Sequence, residues 1–133
     1  MTIGTARIEA MATPGHTDES TSYVINDAAV CTGNTLFTNG VGRPDLNAES
    51  ASRRAGDLWD SLVRLQQRPE ATVLLPAHAS EPIAFDGRPI AARIGRCVGV
   101  AVRMDRIRAG LCRAGDGESA TDAARLRAHR RPE

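Results

Sequence analysis

Three short segments carry side chains able to donate to a cation. They are Thr13-Pro14-Gly15-His16-Thr17, Thr32-Gly33-Asn34-Thr35-Leu36-Phe37 and Leu75-Pro76-Ala77-His78-Ala79. Two imidazoles and one carboxamide stand 18 and 44 residues apart along the chain. Neutral imidazole is the commonest protein metal ligand. A single His on a loop is more often merely solvated, so spacing alone favours solvent over metal. Arg43 and Asp45 are two opposite charges close together in sequence. They either close their loop as an ion pair or meet an anionic substrate, and the ion pair is the favoured reading.

Each of the three segments follows a predicted strand. Residues 6–12 (ARIEAMA) alternate, with Ile8 and Ala10 on one side and Arg7 and Glu9 on the other, the pattern of a half-buried strand. Thr13-Pro14-Gly15 breaks it. Residues 20–25 (STSYVI) are β-branched and aromatic, which predicts a second strand. Asn26-Asp27 turns the chain into a third strand over 28–32, although Asn-Asp is a weaker hairpin signal than Asn-Gly. Residues 33–47 are loop-like, with three Gly and one Pro. A helix is predicted from about Ala48 to Gln67, with Asn47 as N-cap and Leu58, Leu62 and Leu65 as its apolar stripe. Thr72–Leu75 is a short apolar run, the signature of a strand covered on both faces. Strand ends in layered α/β folds gather functional side chains, so His16, Asn34 and His78 become candidates for one site.

The composition narrows the class. The chain has 133 residues, 41% hydrophobic and 25% charged, with a net charge of +1. This is ordinary for a globular domain, and bulk charge argues against a nucleic-acid or membrane partner. No apolar run approaches the roughly 18–20 residues a membrane span needs. The start shows no signal peptide. Cys31, Cys97 and Cys112 are odd in number and widely spaced, which fits neither a disulfide framework nor a CxxC metal site. Free thiols in a cytoplasmic protein are expected, with Cys31 in the core. All 17 basic residues are Arg, a signature of GC-rich coding sequence rather than of function.

The stretch TPGHTDESTSYVI…CTGNTLFTNGVGRPDL…LLPAHASEPIAFDGRPIAARIG resembles the second half of metallo-β-lactamase-fold enzymes. Within them it is most similar to the glyoxalase II, persulfide dioxygenase and rhodanese-associated branch. That branch carries a PGHT motif, a TGDTLF motif and a PGH or PAH motif, whose His, Asp and His bind metal. The matching positions here are His16, Asn34 and His78, in family order over roughly residues 6–94. The resemblance implies an α/β fold, the αββα sandwich of the family, present as an incomplete C-terminal half. It implies Zn or Fe as cofactor and a small thiol-derived substrate, a glutathione thioester or persulfide, with Arg43 and Asp45 beside it. In the hydrolases, metal-bound water attacks the thioester carbonyl. In the dioxygenases, a site of two His and one carboxylate holds Fe(II).

Two departures shape the expectation. The family's HxHxDH motif is absent, since the chain's three His stand at 16, 78 and 129. Its ligand Asp is Asn34 here, neutral and a poorer donor. The chain is therefore expected to be inactive alone, as a fragment of a metal-dependent hydrolase or sulfur dioxygenase. The alternative is an accessory half-domain that associates with a separate N-terminal half, or with itself through an uncovered apolar sheet face. Residues 1–94 carry 8 Arg against 11 acids, and residues 95–133 carry 9 Arg against 5. This flip sets 95–133 apart as an Arg-rich tail of the kind that a shifted reading frame or a disordered segment gives.

Overall fold

In the computed structural model, residues 1–79, 81–84 and 86–97 are described. The predicted Arg-rich tail lies outside them beyond Cys97. The alternating segment forms strand β2 (Ala6–Ala12), preceded by a two-residue strand β1 (Thr2–Ile3). Strands β3 (Thr21–Ile25) and β4 (Ala29–Gly33) follow as a hairpin. Its turn places Asn26 at φ +51° and Asp27 at φ +56°, the mirror-image turn that suits strand twist. Two contacts explain why Asn-Asp suffices. Asn26 Oδ1 accepts the Arg7 backbone N–H at 2.7 Å, and the Asp27 carboxylate receives Arg7 and Arg68, each at 3.0 Å.

Asn47 caps the next element as expected, its side chain accepting the Glu49 N–H at 3.0 Å. A 3-10 turn (Ala48–Ser50) leads into helix α1 (Ala51–Gln66). Strand β5 (Val73–Pro76) returns parallel to β4, and a two-residue strand β6 (Ala92–Arg93) pairs antiparallel with β5. A second 3-10 turn (Ile94–Cys97) closes the described chain. The sheet order is β1-β2-β3-β4-β5-β6, and β4–β5 is its one parallel pair among the described residues. Strands β1 and β6 are too short for a period to show in the sequence.

One face of this sheet meets α1. Val24, Val30 and Leu74 lie in register across β3, β4 and β5. They pack with Leu58, Leu62 and Leu65 of the helix, the i, i+4, i+7 stripe. Ile94 and Cys97 join the same core. The fold is the expected α/β arrangement, one helical layer on one mixed sheet.

The other face differs from the sequence reading. Ala10, Tyr23, Cys31 and Leu75 are neighbours across β2, β3, β4 and β5, and strand alternation turns them away from the helix. Tyr23 is 49% exposed and Val73 36%. Strand β5 is thus covered on one face by the described residues, not on both. Cys31, expected in the core, sits half-buried on this outer face. A continuous apolar run records that a strand is hydrophobic but not what covers it.

Candidate functional site

The three candidate segments lie at one end of the sheet. His16 follows β2, Asn34 follows β4, and His78 follows β5. The parallel pairing sets Gly33 beside Pro76, and the Ala77 N–H donates to the Gly33 carbonyl at 3.0 Å. The Asn34 and His78 loops therefore leave adjacent strand ends together.

A buried hydroxyl cluster joins the His16 loop to the Asn34 loop. Thr13 Oγ1 lies 2.9 Å from Ser22 Oγ, and Thr35 Oγ1 lies 3.2 Å from both the carbonyl and the hydroxyl of Thr13. Thr13, Ser22 and Thr35 are all buried. Nothing in the periodicity of the sequence marks them. The only trace is hydroxyl residues at positions where a core would hold aliphatic ones.

The loop after Asn34 folds back on itself. Leu36 bridges Val41, the Phe37 N–H donates to the Gly40 carbonyl at 2.8 Å, and the Gly42 N–H donates to the Thr35 carbonyl at 3.2 Å. This returns Gly42 and Arg43 to the side of His16. A Cβ at Gly42 would collide with the Asn34 carbonyl oxygen and stand 3.0 Å from the His16 Cβ. At Gly15, φ is +135° and a Cβ would run into Leu58 of α1. Glycine is required at both positions by close approach, and at Gly15 by backbone conformation as well.

These contacts fix the His16 ring. Its Nδ1 lies 3.1 Å from the Arg43 carbonyl oxygen and its Nε2 lies 3.4 Å from Asn34 Nδ2. A carbonyl only accepts, so Nδ1 carries the proton of the neutral ring and Nε2 presents its lone pair. The Asn34 amide N–H is then the group that faces Nε2. Asn34 Oδ1 is left buried without a hydrogen-bond partner.

His78 stands on the neighbouring loop, exposed, with its ring 4.5 Å from that of Phe37 at 48°. The structure thus brings His16 and Asn34 into contact and sets His78 one strand away. Arg43 and Asp45 pair with each other, Nε to Oδ1 at 3.0 Å and a second nitrogen to Oδ2 at 3.3 Å. That pairing raises the Arg43 pKa and holds the Asp45 carboxyl below its ordinary range. Both side chains stay exposed. Asp18, in the turn after His16, is held low first by the Arg53 hydrogen bond and then by Arg54, both on α1. These contacts tie that turn to the helix.

The resemblance implies Zn or Fe, and each makes its own demand on the donors. Catalytic zinc takes about three protein ligands and an open position, and the iron site needs a carboxylate. Among the described residues no three His, Cys, Asp or Glu side chains gather to hold a metal. His16 presents a suitable lone pair, but Asn34 answers it with an N–H and no negative charge. The residues present do not fit a catalytic metal.

Comparison with known proteins agrees with the fold. No family profile matches the chain. Over 80 residues it is 39% identical to a hydroxyacylglutathione hydrolase of Neisseria gonorrhoeae, covering 58% of this chain and 30% of that protein. The crystal structure of ETHE1 from Myxococcus xanthus superimposes with a TM-score of 0.56 at 34% identity, over 73% of this chain and 39% of that one. A metallo-β-lactamase from Staphylococcus aureus gives a TM-score of 0.65 at 22% identity, over 80% and 36%, a likeness of fold alone. The chain spans about a third of the length of these proteins. Over the shared residues the chain has the fold of metallo-β-lactamase-like proteins and is similar in sequence to glyoxalase II-type and ETHE1-type members.

Proposed function

We propose that this chain supplies one face of a thioester-hydrolase or persulfide-dioxygenase site and turns over no substrate by itself. The observation that supports this reading is the His16–Asn34 contact. Motifs in family order meet at the strand ends, yet an amide occupies the position of the ligand carboxylate. The donors among the described residues do not hold Zn or Fe in catalytic form. A glutathione-derived thioester or persulfide is the substrate class of this reading. The exposed Arg43–Asp45 pair beside His16 is the charged feature such a molecule would meet. No helix among the described residues is long and apolar enough to cross a membrane, and a cytoplasmic location is part of the proposal.

The test is direct. Purified full chain, supplied with Zn(II) or Fe(II), is assayed for hydrolysis of a hydroxyacylglutathione and for oxygen uptake with glutathione persulfide. The expected result is no rate above the metal-only control. Turnover that a chelator abolishes would overturn the reading.

A second reading has its own observation. The outer sheet face presents Tyr23, Ile25, Cys31, Val73 and Leu75 with no helix of the described residues over it. It suits an accessory half-domain that pairs with a separate half bearing an HxHxDH motif. Binding to such a half-domain, taken from a relative and measured by calorimetry, tests it. No heat of binding at micromolar concentrations counts against it.

A further inference from the structure

We propose that Asn34 closes its own site: its amide N–H caps the His16 Nε2 lone pair, making the pair a loop-joining hydrogen bond that keeps a divalent cation off His16. Three observations carry this. The Arg43 carbonyl lies 3.1 Å from Nδ1 and fixes the proton there. The bare Nε2 then faces Asn34 Nδ2 at 3.4 Å. Asn34 Oδ1, the atom that could serve a cation, is buried without a partner on the far side of the amide.

The arrangement is held from several sides. Gly42 packs with no side chain against both His16 and the Asn34 carbonyl. Thr35, next to Asn34, is tied to Thr13. With Nδ1–H held by the Arg43 carbonyl, turning the amide would set Oδ1 against the bare Nε2, two acceptors face to face. A cation approaching Nε2 must displace an N–H donor and gains no negative charge in exchange. A carboxylate at position 34 has no proton to donate, so the same scaffold would leave Nε2 free and add an anionic donor. The identity of residue 34 therefore decides whether the loops are joined by a hydrogen bond or open to a cation.

This proposal shares with the preceding section the placement of His16 and Asn34 in one site. Its readout is a ring tautomer and not turnover, so the two can fail separately. The experiment is a long-range 1H–15N spectrum of the 15N-labelled full chain at about pH 8, above the usual imidazole range. His78→Gln and His129→Gln identify the His16 signals by elimination. The expected result is the Nδ1–H tautomer, with Nε2 unprotonated and unmoved by equimolar Zn(II). An Nε2–H tautomer in the unaltered chain overturns the proposal without any variant of the pair. In Asn34→Asp, Zn(II) should move the His16 Nε2 signal and bind at least tenfold more tightly than to the unaltered chain. Equal Zn(II) affinity at His16 in the two proteins also overturns it.

Discussion

The backbone carbonyl of Arg43 lies 3.1 Å from Nδ1 of His16, 27 residues away in sequence. The same residue gives its side chain to Asp45. Arg43 thus acts twice, through its guanidinium in its own loop and through its main chain on the imidazole. A carbonyl or carboxylate behind a His is the usual way its tautomer and ring plane are set.

Gly42 makes that contact possible, so it is the first place to test the geometry. Gly42→Ala should cost about 1–3 kcal/mol, the usual range for overpacking. Urea unfolding gives the stability, and the His16 ring resonances report the local effect. A variant of unchanged stability with unmoved His16 signals would show that the loop has slack the packing denies.

The buried hydroxyls make a second prediction. Thr13→Val keeps the shape but leaves Ser22 Oγ without its 2.9 Å partner. An unsatisfied buried hydroxyl costs about 1–3 kcal/mol. Thermal or urea unfolding should show a loss of that size, and the double variant Thr13→Val with Ser22→Ala should recover part of it. If the double variant is no better than the single, the pairing is not the source of the cost.

Acid should act on Asp45 in a defined direction. The Arg43 hydrogen bond holds its folded-state carboxyl below the ordinary value of 3.8. A depressed carboxylate adds stability above its unfolded value and loses it as pH falls through the folded one. Carbon-13 titration of the Asp45 carboxyl should therefore show a midpoint below 3.8, and Arg43→Gln should move it upward. An unmoved midpoint in the variant would mean that the pair does not persist in solution. The pair is fully exposed, so its effect on overall stability is expected to be small.

The outer face makes the last prediction. Exposed apolar sheet surface favours association. Sedimentation of the full chain should depend on concentration, and Tyr23→Arg, at the 49% exposed centre of the face, should weaken that dependence. A monomer at all concentrations in the unaltered chain excludes self-association by this surface.

Much of this was legible from residue order. The alternation of 6–12 became β2, the Leu58, Leu62 and Leu65 stripe became the buried side of α1, and Asn47 capped the 3-10 turn that leads into that helix. These are local properties, because strand and helix periods are written in adjacent residues. The motifs around His16, Asn34 and His78 likewise fixed their loops at strand ends and pointed to the fold family.

Tertiary structure alone decided the rest. It set the fold-back of residues 35–42, which carries Arg43 to His16, and it joined Thr13, Ser22 and Thr35 under the site. It showed that β5 and Cys31 face outward on a side that no described helix covers. It also turned the substitution at residue 34 from a weakened ligand into a hydrogen-bond donor aimed at an imidazole. The reason is common to all four. Each depends on which atoms meet across tens of residues, and such contacts are fixed by the packing of distant segments, whereas the periods written in adjacent residues report only which face of an element is apolar.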